Sequence, residues 1–158
     1  MIVPSLDEFR KLAHDNALVP VYKEILADLE TPVTAYLKVA RNASYAFLLE
    51  SVEKADTIGQ YSFIGANPSI VFRAKGMEGV ILRNGKEEPF SSENTLNELR
   101  KHMARYQPAP VPGLPAFHGG AVGYISYDQV RQFEKLPDAN PDTLGLPDLY
   151  FMITDTLL

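Results

Sequence analysis

The chain has only three histidines, at positions 14, 102 and 118. No two of them share the close helical spacing or the carboxylate-rich window of a zinc site. They are expected to be solvated or packed, with no metal held by them alone. Cysteine is absent, which removes thiol nucleophiles, disulfides and cysteine metal knuckles together. His118-Gly119-Gly120 has the form of an esterase oxyanion loop, but Ala121 follows and no G-x-S-x-G elbow occurs anywhere. Neither G-x-x-x-x-G-K-[ST] nor G-x-G-x-x-G is present, so the glycines do not spell a phosphate cradle. The residue that stands out is Glu50, a carboxylate in the otherwise apolar run Tyr45 to Val52. A charge there is costly unless it faces water at a sheet edge or meets a cationic or amide partner. In the second case Glu50 would receive an ammonium group, and Ser51 next to it both donates and accepts. After Lys135 the chain carries Asp138, Asp142, Asp148 and Asp155 with no basic residue, the pattern of a solvated acidic loop.

These residues have to be placed by the elements around them. Tyr45, Phe47, Leu49 and Ser51 alternate with Ala46, Leu48, Glu50 and Val52, which predicts a strand from Ser44 with Glu50 and Ser51 facing opposite ways. Further strands are expected over 60–64 and 70–74, and a hairpin over 79–83 and 86–90 around Asn84-Gly85. Ser5-Leu6-Asp7-Glu8 and Thr95-Leu96-Asn97-Glu98 have the form of capping boxes, predicting helices over 5–14 and 95–107. A third helix, over 31–40, starts at Thr31-Pro32 and carries Val33, Tyr36, Leu37 and Ala40 on one stripe that should pack on a sheet. Pro108, Pro110, Pro112 and Pro115 make a stiff crossover inside one domain. Strand character returns over 117–127, with glycines 119, 120 and 123, and over 149–158, where no turn or cap closes the strand and the chain looks cut. The fold class expected is α+β, one mainly antiparallel twisted sheet with a few packed helices.

Composition bounds the function. The 158 residues are 46% hydrophobic and 22% charged, the balance of an ordinary globular chain. Fifteen Lys plus Arg against 20 Asp plus Glu give a net charge of -5, which supplies no positive field for nucleic acid or anionic lipid. No apolar run reaches the ~20 residues of a membrane span, and MIVPSLDEFRKL lacks the features of a secretion signal, so a cytoplasmic protein is expected.

Three blocks together carry a resemblance: Leu48-Leu49-Glu50-Ser51, Gly59-Gln60-Tyr61-Ser62-Phe63-Ile64-Gly65, and Gly119 through Asp128, reading GGAVGYISYD. In this order and approximate spacing, and with PVTAYLKVA and DLYFMITDTLL, the chain closely resembles the N-terminal region of anthranilate synthase component I over nearly its whole length. The resemblance implies a single N-terminal domain, residues 1–158, of a lyase that makes anthranilate from chorismate and ammonia with Mg²⁺. It also implies a glutamine amidotransferase subunit, component II, as ammonia source, and inhibition by L-tryptophan. The chorismate- and magnesium-binding residues of the family lie in a larger C-terminal region, so this chain is expected to hold no catalytic residue, no metal and no cofactor of its own.

In the family the L-L-E-S block forms part of the tryptophan pocket, which implies that role for Leu49, Glu50 and Ser51. Leu49 would meet the indole, and Ser51 with the nearby backbone the amino-acid head. Gln60 stands where the family commonly has Arg, which removes a charge. The glycines of Gly120 to Tyr124 read as packing residues. Two alternatives stay open: the large subunit of aminodeoxychorismate synthase, against which ESVE and DQVRQFEKLP speak, and a non-catalytic protein-interaction module. Without the C-terminal region a sheet face or edge is left uncovered, so self-association of the isolated chain is expected.

Overall fold

The computed structural model describes residues 1–15, 18–50, 61–137 and 140–158. The elements are β1 (Ile2–Val3), α1 (Leu6–Asp15), β2 (Tyr22–Lys23), α2 (Pro32–Val39), β3 (Ala46–Glu50), β4 (Ser62–Ala66), β5 (Ile70–Lys75), β6 (Glu78–Arg83), β7 (Lys86–Ser91), α3 (Thr95–Met103), β8 (Gly120–Ile125), a 3₁₀ turn (Tyr127–Gln132) and β9 (Leu149–Thr154). The fold is α+β and every strand pair is antiparallel. Where one sheet was expected, the described strands form three: β1-β2, β3-β4, and a five-stranded sheet in the order β7-β6-β5-β9-β8. Among the described residues no helix is long and apolar enough to cross a membrane.

The five-stranded sheet owes its order to one local signal and one remote one. Asn84 and Gly85 both take positive φ, 49° and 77°, the type I′ geometry whose twist matches a hairpin, and this fixes β6 against β7. On the other side β5 accepts β9, pairing Phe72 with Phe151 and Ala74 with Leu149. Ile70, Phe72 and Ala74 therefore share a face with Leu149 and Ile153, and Leu99 of α3 closes the core over them. Burying a side chain such as Phe72 or Leu149 stabilises by roughly 1.5–3 kcal/mol.

Helix starts follow the expected chemistry with one correction. Ser5 Oγ and the Glu8 carboxylate form the reciprocal box at α1, which holds the Glu8 pKa below the usual carboxylate value. Thr31 caps α2, with Thr34 answering it, and α2 rests on β3 and β4. At α3 the cap is Asn94, whose side chain accepts the Asn97 N–H at 2.8 Å. Thr95 is instead fully buried, its hydroxyl accepting from Gln132 Nε2 at 2.9 Å. The helix also stops at Met103, with Ala104 as C-cap, although Tyr106 beyond it still packs on the core.

The proline-rich crossover is tied to the N-terminal part of the chain. Ala109 is buried and donates to Leu18 O, and the Tyr22 hydroxyl donates to Pro112 O.

His102, on α3, is only 4% exposed. Burial first, then the positive charges of Arg105 and Arg83, push its imidazole below the ordinary value of 6.5, and Glu88 opposes them weakly. The folded state thus holds His102 neutral, while the unfolded chain takes up the proton as pH falls. Stability measured by urea unfolding should be full above about pH 7 and decline as pH drops through about 6.5. His102→Leu should flatten this limb; an unchanged slope would show that another group titrates there.

Candidate functional site

The β3-β4 hairpin pairs Phe47 with Gly65, Leu49 with Phe63, and Glu50 with Ser62. Alternation puts Leu49 and Glu50 on opposite faces of this small sheet. Phe47, Leu49 and Phe63 share one face. Its inner end is closed: Phe47 is buried, and a Cβ at Gly65 would lie 2.4 Å from the Phe47 ring, so the glycine is what lets the ring lie across the neighbouring strand. Towards the other end Phe63 meets Phe117 edge-on at 5.1 Å and Tyr61 at 6.0 Å. Leu49 is 43% exposed beside them, leaving an apolar and aromatic platform suited to a flat ring.

A second aromatic group joins this hairpin to the large sheet. The Tyr45 ring, just before β3, lies 6.3 Å from Tyr150 of β9, and Tyr150 stacks on Tyr124 of β8 at 6.0 Å. Burial, then the hydrogen bond and charge of Tyr45, push the Tyr150 phenol up to about 12, so it stays a neutral donor over any working pH.

Glu50 faces the other way, with Ser62 and Ile64 on the matching positions of β4. Ser62 and Ile64 help line an apolar groove of about 900 Å³ whose other walls include Leu26, Pro32, Ala35 and Leu158. Glu30 and Lys38 line the same groove and pair with each other there. Leu158 reaches β4 through two reciprocal bonds with Ile64, at 2.8 and 2.9 Å. Glu50 itself is exposed and no cation pairs with it among the described residues, which is the edge-glutamate environment and not the buried one.

Ser51 and Gln60 lie outside the described residues, and so does Asp138. Of the candidate site, the structure therefore places Leu49 and Glu50, back to back. A single ligand can touch both only at the end of β3, where Glu50 is the last described residue. Among the described residues no three histidines or carboxylates come together in a way that could hold a metal.

The acidic stretch is less idle than its charge pattern implies. Asp148 accepts from the Gly76 N–H at 2.8 Å and from the Ser126 hydroxyl at 3.0 Å, tying the ends of β5 and β8 to the start of β9. Asp142 pairs with Lys75 and accepts the Gly145 N–H, which lowers its pKa. The sequence alone assigns no role to the rings of Tyr45, Phe117, Tyr124 and Tyr150. The available signal was the alternation of LYFMIT, which sets Tyr150 and Met152 on the face opposite Leu149 and Phe151.

Compared with curated proteins, the chain is 40% identical over 159 residues to anthranilate synthase component 1 of Acetivibrio thermocellus, a match covering 100% of the chain and 32% of that protein. The stretch it resembles is the N-terminal part of anthranilate synthase component 1. The protein of the same name from Synechocystis is 41% identical over 160 residues, 100% of the chain and 31% of the relative. That of Thermus thermophilus is 47% identical over 134 residues, 84% and 28% respectively. The chain thus spans about a third of the length of the anthranilate synthase component 1 proteins it matches. No family model matches it. All three relatives carry the anthranilate synthase component 1 name.

Proposed function

We propose that this chain is the N-terminal, regulatory and structural part of an anthranilate synthase component 1, and that it contributes one wall of an L-tryptophan feedback site through Leu49, Glu50 and Ser51. The observation that carries this reading is the match along nearly the whole chain to the N-terminal part of proteins of that name. In this proposal the parent converts chorismate and ammonia to anthranilate in tryptophan biosynthesis, with Mg²⁺, and a glutamine amidotransferase subunit delivers the ammonia. In this reading Mg²⁺ and chorismate belong to the longer remainder of the parent, as the resemblance implies, and catalysis by this chain alone is not expected.

The platform of Leu49, Phe63 and Phe117 supports the reading, because an indole ring lies well on an apolar surface rimmed by aromatic edges. Glu50 is a carboxylate that can accept an ammonium group at the end of β3. Both contacts are open to solvent on this chain, so affinity depends on groups that enclose the ligand from elsewhere. The chain contains no tryptophan, which makes indole fluorescence a direct report of the ligand. Excited at the red edge, free L-tryptophan should show scarcely any rise in anisotropy with micromolar chain, and binding should be millimolar or weaker. In the full-length parent, Ser51→Phe should relieve inhibition by tryptophan while anthranilate production stays near its original rate. Equal loss of inhibition and turnover would assign Ser51 to the fold, and tight binding by the chain alone would show a complete pocket within it.

A further inference from the structure

The 3₁₀ turn Tyr127–Gln132 has its faces reversed for a surface segment. Tyr127 and Phe133, at its two ends, are exposed, while Gln129 between them is only 4% exposed. Side chains three residues apart on a 3₁₀ helix stand over one another, so Gln129 and Gln132 share a face. Gln132 shows where that face points, because its Nε2 donates to the Thr95 hydroxyl at the start of α3, at 2.9 Å. The frame around the pair is well tied. The Gln129 N–H donates to Ser126 O and the Phe133 N–H to Val130 O, and the Arg131 guanidinium donates to Asp128 and to the Leu136 and Pro137 carbonyls. Two side-chain atoms inside this frame are left over. Gln129 Nε2 and Gln132 Oε1 are closed to solvent and have no hydrogen-bond partner among the described residues. An unpaired buried amide group is costly, and here a donor and an acceptor are left over together.

That complementarity decides the ligand. A cation would suit Oε1 and be repelled by the Nε2 hydrogens, an anion would do the reverse, and only a small molecule that both accepts and donates satisfies the two. A rise of ~2.0 Å per residue sets the two backbone positions about 6 Å apart along the axis. Two hydrogen bonds of ~2.9 Å through one oxygen span nearly the same distance. We propose that Gln129 and Gln132 hold a single internal water, which accepts from Gln129 Nε2, donates to Gln132 Oε1 and so fastens the turn to α3 through Thr95. The site is closed to solvent by this chain's own residues. It gives the stretch DQVRQFEKLP a structural task, and it explains why an inward face that leucine would ordinarily fill carries two glutamines.

Nuclear magnetic resonance on the unaltered, ¹⁵N-labelled 158-residue chain reads this directly. The Gln129 side-chain amide protons should show cross-peaks to water with the sign of a held molecule, and should exchange far more slowly than those of an exposed glutamine. Gln129→Met and Gln132→Met keep the length of the side chain and remove one holder each. Either should lower the folding equilibrium constant by roughly tenfold in urea unfolding, and the double variant should cost less than the product of the two, since it leaves no orphan. Oxygen-17 relaxation dispersion should count one long-lived water fewer in the double variant than in the unaltered chain. A scalar coupling across a direct bond from Gln129 Nε2 to the Gln132 carbonyl, with no water cross-peak, would overturn the proposal. So would a Gln129 amide that exchanges at the rate of an exposed one, or a water cross-peak at Gln129 that persists unchanged in Gln132→Met.

Discussion

Gly123→Ala is expected to destabilise the chain by about 3 kcal/mol or more, at the upper end of what overpacking costs. A Cβ at this position would lie 1.9 Å from the Tyr150 carbonyl oxygen and 2.7 Å from Phe151 Cα. Both obstacles are backbone of the paired strand β9, so relief requires β8 and β9 to move apart, which disturbs a pairing that runs from Gly120–Thr154 to Ile125–Leu149. Gly79 gives the internal control: the Cβ there would meet the Phe90 ring at 2.1 Å, a side chain that can rotate at smaller cost. Urea unfolding should therefore rank Gly123→Ala well below Gly79→Ala in stability. The reverse ranking would mean that Phe90 is held more rigidly than the strand pair.

Phe72→Ala is the second large effect, about 3–5 kcal/mol. Phe72 is 0% exposed on the central strand, 5.2 Å from the Phe90 ring, and belongs to the cluster of Leu99, Leu149 and Ile153. Its removal leaves a cavity bounded by a sheet on one side and α3 on the other, neither of which collapses easily. For a chain of this length each kcal/mol moves the melting temperature by about 2–4 °C, so a loss of about 10 °C is expected by scanning calorimetry. A fall below about 3 °C would show that α3 closes onto the sheet when the ring is gone.

What could be read from sequence was what neighbours along the chain decide. The Ser5–Glu8 box, the Thr31 cap with Pro32, and the Asn84-Gly85 hairpin each rest on contacts within four residues, and each stands where its residue types place it. The α3 cap was misread because Thr95 and Asn94 are equivalent by type; Gln132, 37 residues away, decides between them by taking the threonine inside. The division into separate sheets and the order β7-β6-β5-β9-β8 depend on partners far apart in sequence, about which periodicity is silent. The same limit applied to the candidate site. Alternation alone set Leu49 and Glu50 on opposite faces, and the register with Phe63 and Ser62 agrees. The ring contacts around them could not be read, since Phe117, Tyr124 and Tyr150 arrive from strands and loops remote from β3.

The order of strands also dictates an order of events in time. β5, β6 and β7 are consecutive antiparallel neighbours and can zip locally within microseconds once made. β5 must wait for β9, because the chain between Lys75 and Leu149 has to be synthesised first. At ~5–20 residues per second that interval is roughly 4–15 s. During it the meander exposes one edge of Ile70, Val71 and Phe72, three residues that are all buried in the finished sheet, to whatever else is nearby. The completed sheet is thus a high-contact-order object whose central seam is the last to close. A nascent chain of this kind is most vulnerable before residue 149 has left the ribosome.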